Sequence, residues 1–256
     1  MDSCILTCVL DLNFCGMKPD QLINRRSVIF FILFFILALV AFWGSYFARL
    51  TAQADYRLHA HGIGMILWCM MLITQAYLIR THRRKLHRRI GLFSYVLVPY
   101  IVFTTLGLIH FQMQGLDKVT NLPMYALALI INAIIIFVII YALAIYHRKR
   151  PLVHARYMLA TLFPMFTPVT DRLIYGYFRP LIAWVPRIDQ APIVPVIGFA
   201  LADIIVVALA IWDWRAHRRW NVFPVVLVLL LIYHYSVLNF YQFEFWRSFC
   251  EWFVGL

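Results

Sequence analysis

Long apolar stretches alternate with short polar connections along almost the whole chain. Seven stretches read as spans: residues 27–48, 58–79, 90–111, 122–146, 152–177, 191–212 and 222–241. A helix needs about 20 apolar residues to cross a bilayer core. None of the stretches shows the period-two alternation of a barrel strand. The pattern predicts an all-α fold, a polytopic membrane bundle of about seven transmembrane helices. That bundle occupies residues 27–241, after an N-terminal tail at 1–26 and before an aromatic C-terminal tail at 242–256. Trp246 and Trp252 suit the tail to an interface, and Glu244, Arg247 and Glu251 interrupt it too often for a span. Prolines predict kinks, Pro99 in the third span and Pro164 and Pro168 in the fifth. Residues 178–190, with Pro180, Trp184 and Pro186, read as a structured loop.

Charge adds orientation. Only 13% of the residues are charged, against about 25% in a typical soluble domain. The net charge of +12 could suggest a nucleic-acid partner, but its distribution points to the lipid bilayer instead. Basic clusters stand at Arg25-Arg26, between Arg80 and Arg89, between His147 and Arg150, and between Arg215 and Arg219. They fall at alternate ends of successive spans, all on one side. The excess of Lys and Arg in cytoplasmic loops makes that side the inside, with the N-terminus inside and the C-terminus outside.

The five cysteines form no CxxC pair, and Cys4, Cys8 and Cys15 are expected to be cytosolic and reduced. Residues 1–16 resemble neither a signal peptide nor a span. Met17-Lys18-Pro19 reads as an ordinary membrane-protein start, so translation is expected to begin at Met17, the alternative being a short tail.

The candidate chemistry lies in a few ionisable residues inside the apolar runs. His59 and His61 open the second span, about 200° apart on a helix, so they cannot face one site together. His61 shares a face with Met65, Trp68, Leu72 and Gln75 and is the expected inward residue. It reads either as a metal or haem ligand, with His110 nearby, or as an interfacial histidine. His87 and His154 begin the third and fifth spans after similar basic turns, Leu86-His87-Arg88-Arg89-Ile90-Gly91 and Val153-His154-Ala155-Arg156-Tyr157-Met158. The likeness reads as a weak internal repeat or as chance. Neutral imidazoles at equal depth suit a b-type haem, with Arg88, Arg89 or Arg156 near its propionates. The competing reading is that these side chains snorkel toward lipid phosphates.

Asp203 falls near the middle of the sixth span and His234 at similar depth in the seventh. A carboxylate there needs a partner, either His234 or Arg172. Arg172, Asp203 and His234 are therefore candidates for a proton relay or polar core, or for an ion pair that only orders the bundle. There is no GxGxxG, phosphate-binding loop or HExxH.

Between Asp55 and Pro224 the chain resembles a family of functionally uncharacterised bacterial multi-pass inner-membrane proteins. The likeness rests on His59-Ala60-His61, Leu86-His87-Arg88-Arg89-Ile90-Gly91, His154-Ala155-Arg156-Tyr157-Met158, Arg172, Asp203 and Trp212-Asp213-Trp214-Arg215. The family's histidine before the proline of its last helix is missing from Asn221-Val222-Phe223-Pro224. The resemblance implies a bacterial inner (cytoplasmic) membrane location and the importance of those positions, and it supplies no activity. In layout the chain is also similar to transmembrane cytochrome b proteins.

Two expectations lead. One is a haem-b or metal-binding redox protein using His61, His87 and His154, with a redox partner. The other is a proton-coupled transporter built on Arg172, Asp203 and His234, with a small-molecule substrate. A non-enzymatic assembly factor is a further alternative. A zinc hydrolase of the adiponectin-receptor type ranks last, because Leu230 and Leu238 stand where a second histidine is needed.

Overall fold

The computed structural model describes residues 19–53, 55–114, 116 and 119–256. The proposed start at Met17 and Cys4, Cys8 and Cys15 lie outside the described residues. The helices are α1 Pro19–Trp43, α2 Tyr56–Arg80, α3 Arg84–Gly91, α4 Ser94–Gln114, α5 Asn121–Tyr146, α6 Pro151–Ala160, α7 Phe163–Tyr177, α8 Pro195–His217, α9 Phe223–Asn239 and α10 Glu244–Val254. The fold is all-α, and among the described residues six helical segments are long and apolar enough to cross a membrane. The chain is a multi-pass membrane protein.

The fifth apolar run is absent from those six because it is broken. It forms α6 and α7, separated by a turn at Thr161 and Leu162. Pro164 has no N–H to give the carbonyl of Ala160, and α6 ends at Ala160. Pro99, by contrast, lies within the continuous helix α4. The first helix begins earlier than the apolar run suggests and ends at Trp43, where a turn leads into a 3-10 segment, Phe47–Arg49.

The helices close a ring. Neighbours around it are α1, α2, α4, α5, α9, α8, α7 and again α1. The broken pair α6–α7 also packs on α5. The main core lies where α5, α6, α8 and α9 meet, at Ile140, Ala160, Ala202, Val226 and Leu230. A second core joins α1, α2, α4, α5 and α7 around Trp68, Leu72, Leu97 and Phe137. Gly198 of α8 lies hard against Thr170 and against the Thr167 backbone of α7, which sets how closely these helices approach.

At the end opposite the basic clusters, the loop expected at 178–190 contains a 3-10 segment, Arg179–Trp184, and runs into a small hairpin. Its strands β1 Arg187–Ile188 and β2 Ala191–Pro192 pair antiparallel. Asp189 and Gln190 both take positive φ, the geometry of a tight two-residue hairpin turn. The Asp189 carboxylate accepts from Asn121 Nδ2 and from the Leu122 N–H at the start of α5.

The aromatic C-terminal segment forms α10. One face buries Trp246, Cys250 and Phe253 against Ile109, Met113, Met124 and Leu127. The other face exposes Phe245 and Trp252. Trp246 Nε1 donates to the Met124 carbonyl at 2.9 Å.

Candidate functional site

A cavity of about 510 Å³ lies between α1, α2, α4, α5 and α7, and Tyr233 of α9 reaches its wall. That is within the range of about 300–1,000 Å³ typical of small-molecule sites. Most of the wall is aromatic or aliphatic, with Phe42, Trp68 and Phe137 among its members. Its polar members include His61, Thr105, Asp171, Arg172 and Tyr233.

Position on α2 decides which histidine enters the cavity. His61 lines it, whereas His59 turns to the α1–α2 connection. There His59 Nδ1 stands 3.1 Å from Tyr46 Oη, and its Nε2 stands 3.2 Å from the Gln53 carbonyl. His61 Nδ1 is 3.0 Å from Thr105 Oγ1, and that hydroxyl donates to the Ile101 carbonyl at 2.6 Å. A hydroxyl has one proton, so Thr105 must accept the Nδ1–H of His61. This leaves His61 Nε2 with its lone pair.

Arg172 and Asp171 come from α7. The Arg172 guanidinium lies 4.2 Å from the centre of the Phe42 ring and donates to the Pro168 carbonyl at 3.0 Å. It stands within electrostatic range of His61. The break between α6 and α7 interrupts the helical register that would place Arg172 on one face with His154.

Behind the wall lies a group of orphaned polar atoms. Asp171 Oδ1, Tyr233 Oη, Tyr125 Oη and Thr167 Oγ1 are all buried without a hydrogen-bond partner. Asp171 is an electrostatic neighbour of both phenols, and Tyr233 lies against Thr167. Buried polar atoms in a native fold are nearly always paired, so a cluster of unpaired ones signals a missing partner.

The partner of Asp203 is His234, with Nδ1 at 3.0 Å from Oδ2, and Phe199 stacks on the imidazole at 4.1 Å. Arg172 is engaged elsewhere, with Phe42 and Pro168. The three expected core residues thus divide between the cavity and a separate α8–α9 pair.

At the basic end, α3 and α6 each carry a histidine as their fourth residue, and each stops at a break before a longer helix. The rings of His87 and His154 meet edge to face, 6.4 Å between centroids and 87° between planes. His154 Nδ1 lies 2.8 Å from the Ala144 carbonyl. A carbonyl only accepts, so this nitrogen carries the proton and Nε2 holds the lone pair. His87 Nδ1 is buried without a partner. Among the described residues there is no group of three His, Cys, Asp or Glu that would hold a metal ion.

Arg156, a candidate for haem propionates, is committed elsewhere. It is fully buried and donates to Asp213 Oδ1 at 2.8 Å. His217 Nδ1 stands 3.3 Å from the same oxygen. His110 packs edge to face on Phe253 of α10.

No protein-family model, curated protein or solved structure matches the chain.

Sequence reasoning missed Tyr125, Tyr233 and Thr105. Tyrosine and threonine in apolar helices read as ordinary packing, and only their orphaned or relayed hydroxyls set them apart.

Proposed function

We propose that the protein is a haem-b electron carrier of a bacterial inner membrane, its basic end in the cytoplasm, in which His87 and His154 would hold the haem. The reading is carried by the juxtaposition of these two imidazoles from separate hairpins at 6.4 Å. The donor set suits a haem better than a bare ion, because two histidines leave a bare ion short of ligands, whereas a macrocycle brings four of its own. His154 presents Nε2 because Ala144 holds its other nitrogen. Arg88 and Arg89 follow His87 directly and are exposed, available to acidic groups at the membrane boundary. When bound, a haem supplies one-electron redox chemistry. The chain contributes ligand orientation and a basic rim.

The test is a reduced-minus-oxidised visible spectrum of detergent-purified protein with iron analysis of the same sample. A b-type band with about one iron per chain, lost in His154→Ala and in His87→Ala, is expected. A flat spectrum without iron rejects the reading.

A second reading, a proton-coupled transporter, is favoured by the Asp203–His234 pair, because Tyr233, the residue before His234, lines the cavity. Intramembrane carboxylate–imidazole pairs suit proton relays. Proton uptake by proteoliposomes, abolished by Asp203→Asn, is its test.

A further inference from the structure

We infer that the cavity between α1, α2, α4, α5 and α7 binds an amphiphile with a carboxylic acid head and an apolar tail, the chemistry of a fatty acid, with the head between His61 and Arg172. The inference rests neither on haem nor on the Asp203–His234 pair.

The cavity has a polar end and an apolar end. His61 is five residues past Tyr56, the first of α2, and Arg172 is five before Tyr177, the last of α7. At 1.5 Å per residue, both lie about 7.5 Å inside the end of the bundle opposite the basic clusters. Ser45, Gln53 and Gln112 line the cavity nearer that end. Further in, its lining is apolar, with Phe34, Cys69, Ile101, Phe137 and Met165. From His61 to Cys69 is eight residues of α2. The apolar part thus runs about 12 Å toward the middle of the bundle, the shape of a tail rather than of a compact solute.

One acceptor and one donor set the head group. Thr105 takes the Nδ1–H of His61, which leaves Nε2 an acceptor. That nitrogen, unlike Asp171 Oδ1 and Tyr233 Oη behind the wall, is not enclosed by protein. Arg172 lines the cavity with an exposed side chain. A guanidinium carries five N–H donors. Among the described residues one bond is made, to the Pro168 carbonyl, while Phe42 packs on the guanidinium face. The other donors are left for a ligand. His61 and Arg172 stand at one depth and within electrostatic range of each other, which suits a single head group.

A carboxylic acid carries both complements on one carbon. Its O–H donates to His61 Nε2, and its carbonyl oxygen accepts from Arg172. An ester lacks the donor. An ammonium would bring its charge against Arg172. A permanent anion would meet Asp171, the neighbour of Arg172 on the same wall, whereas a neutral acid meets no such repulsion.

The experiment is equilibrium binding of radiolabelled lauric acid to the purified full chain in nonionic detergent. Saturable binding at one site per chain is expected, displaced by unlabelled lauric acid and not by methyl laurate or dodecylamine. Arg172→Gln should weaken it about tenfold and His61→Leu about fivefold, each the loss of one hydrogen bond. Ala133→Phe sets a ring into the cavity from α5, the helix that carries neither head contact, and should weaken binding by a similar factor. That variant keeps the test decisive where a polar substitution lowers the melting temperature. Tyr235, exposed and away from the cavity wall, serves as control in Tyr235→Phe. Binding is unchanged in Tyr235→Phe and in His154→Ala, so failure of the haem reading leaves this result intact. Absence of saturable binding overturns the inference. So does equal binding by all variants, which marks partition into detergent. Tighter binding of lauramide or of dodecyl phosphate than of the acid overturns the head group, the phosphate result pointing to a phospholipid instead.

Discussion

The Arg156 guanidinium and the Asp213 carboxylate meet at 2.8 Å with side chains 0% and 3% exposed, joining α6 to α8 at the basic end of the bundle. The two residues belong to motifs 57 positions apart, His154-Ala155-Arg156 and Trp212-Asp213-Trp214. Tyr157, next to Arg156, donates to the Asn221 carbonyl of the α8–α9 connection. Arg156 therefore anchors the short helix that carries His154, and its role is to position that helix.

Breaking this pair leaves a buried charge behind. Replacing Arg156 by Met, or Asp213 by Leu, is expected to cost about 3–5 kcal/mol, and the double replacement less than either alone. Thermal or denaturant unfolding in detergent, arranged as a double-mutant cycle, reads the coupling. Additive losses contradict a direct pair.

At Gly198 the contact is steric. An added Cβ would overlap Thr170 Oγ1 and crowd the Thr167 backbone. Gly198→Ala is expected to lose about 1–3 kcal/mol by forcing α7 and α8 apart. An unchanged melting temperature would show that the two helices separate at no cost.

The α10 helix is a packed part of the protein. Trp246 is buried and donates to the Met124 carbonyl. Trp246→Ala should destabilise the fold by about 3–5 kcal/mol. Limited proteolysis should then cut first within residues 240–256, and a cleavage pattern like the wild type's argues against docking.

Burial pushes the Cys250 thiol from its ordinary 9.0 up to about 12. The folded state thus favours the neutral thiol. The contribution of that group to stability is complete below pH 9 and falls as pH rises from about 9 toward 12. Maleimide labelling at pH 8, read at the Cys250 peptide, should be slow in the folded protein and fast after denaturation. Fast labelling of folded protein would place the thiol at the surface.

Gln75 carries a buried side-chain amide with both polar atoms unpartnered, and its backbone carbonyl faces His87. Gln75→Leu keeps the volume and removes the orphaned atoms, so it is expected to melt no lower than wild type. A large loss of stability would mean that the amide is paired in solution.

Class and gross layout were legible in the sequence because a bilayer imposes length and apolarity on every span. Runs such as 122–146 and 222–241 have no other physical explanation. The need of Asp203 for a partner was equally legible, because an isolated carboxylate in hydrocarbon is costly. Its choice of His234 over Arg172 was not, since depth along a helix does not fix which faces of α7, α8 and α9 meet. The break at Thr161 and Leu162 follows from Pro164, yet its consequence is tertiary: it ends the register between His154 and Arg172. Packing alone turned His61 toward Thr105 and His59 toward Tyr46. It also brought the phenols of Tyr125 and Tyr233 within electrostatic range of one carboxylate, Asp171. Local sequence sets which residues can enter a membrane, whereas close packing of seven neighbouring segments decides which polar atoms find partners and which are left buried without one.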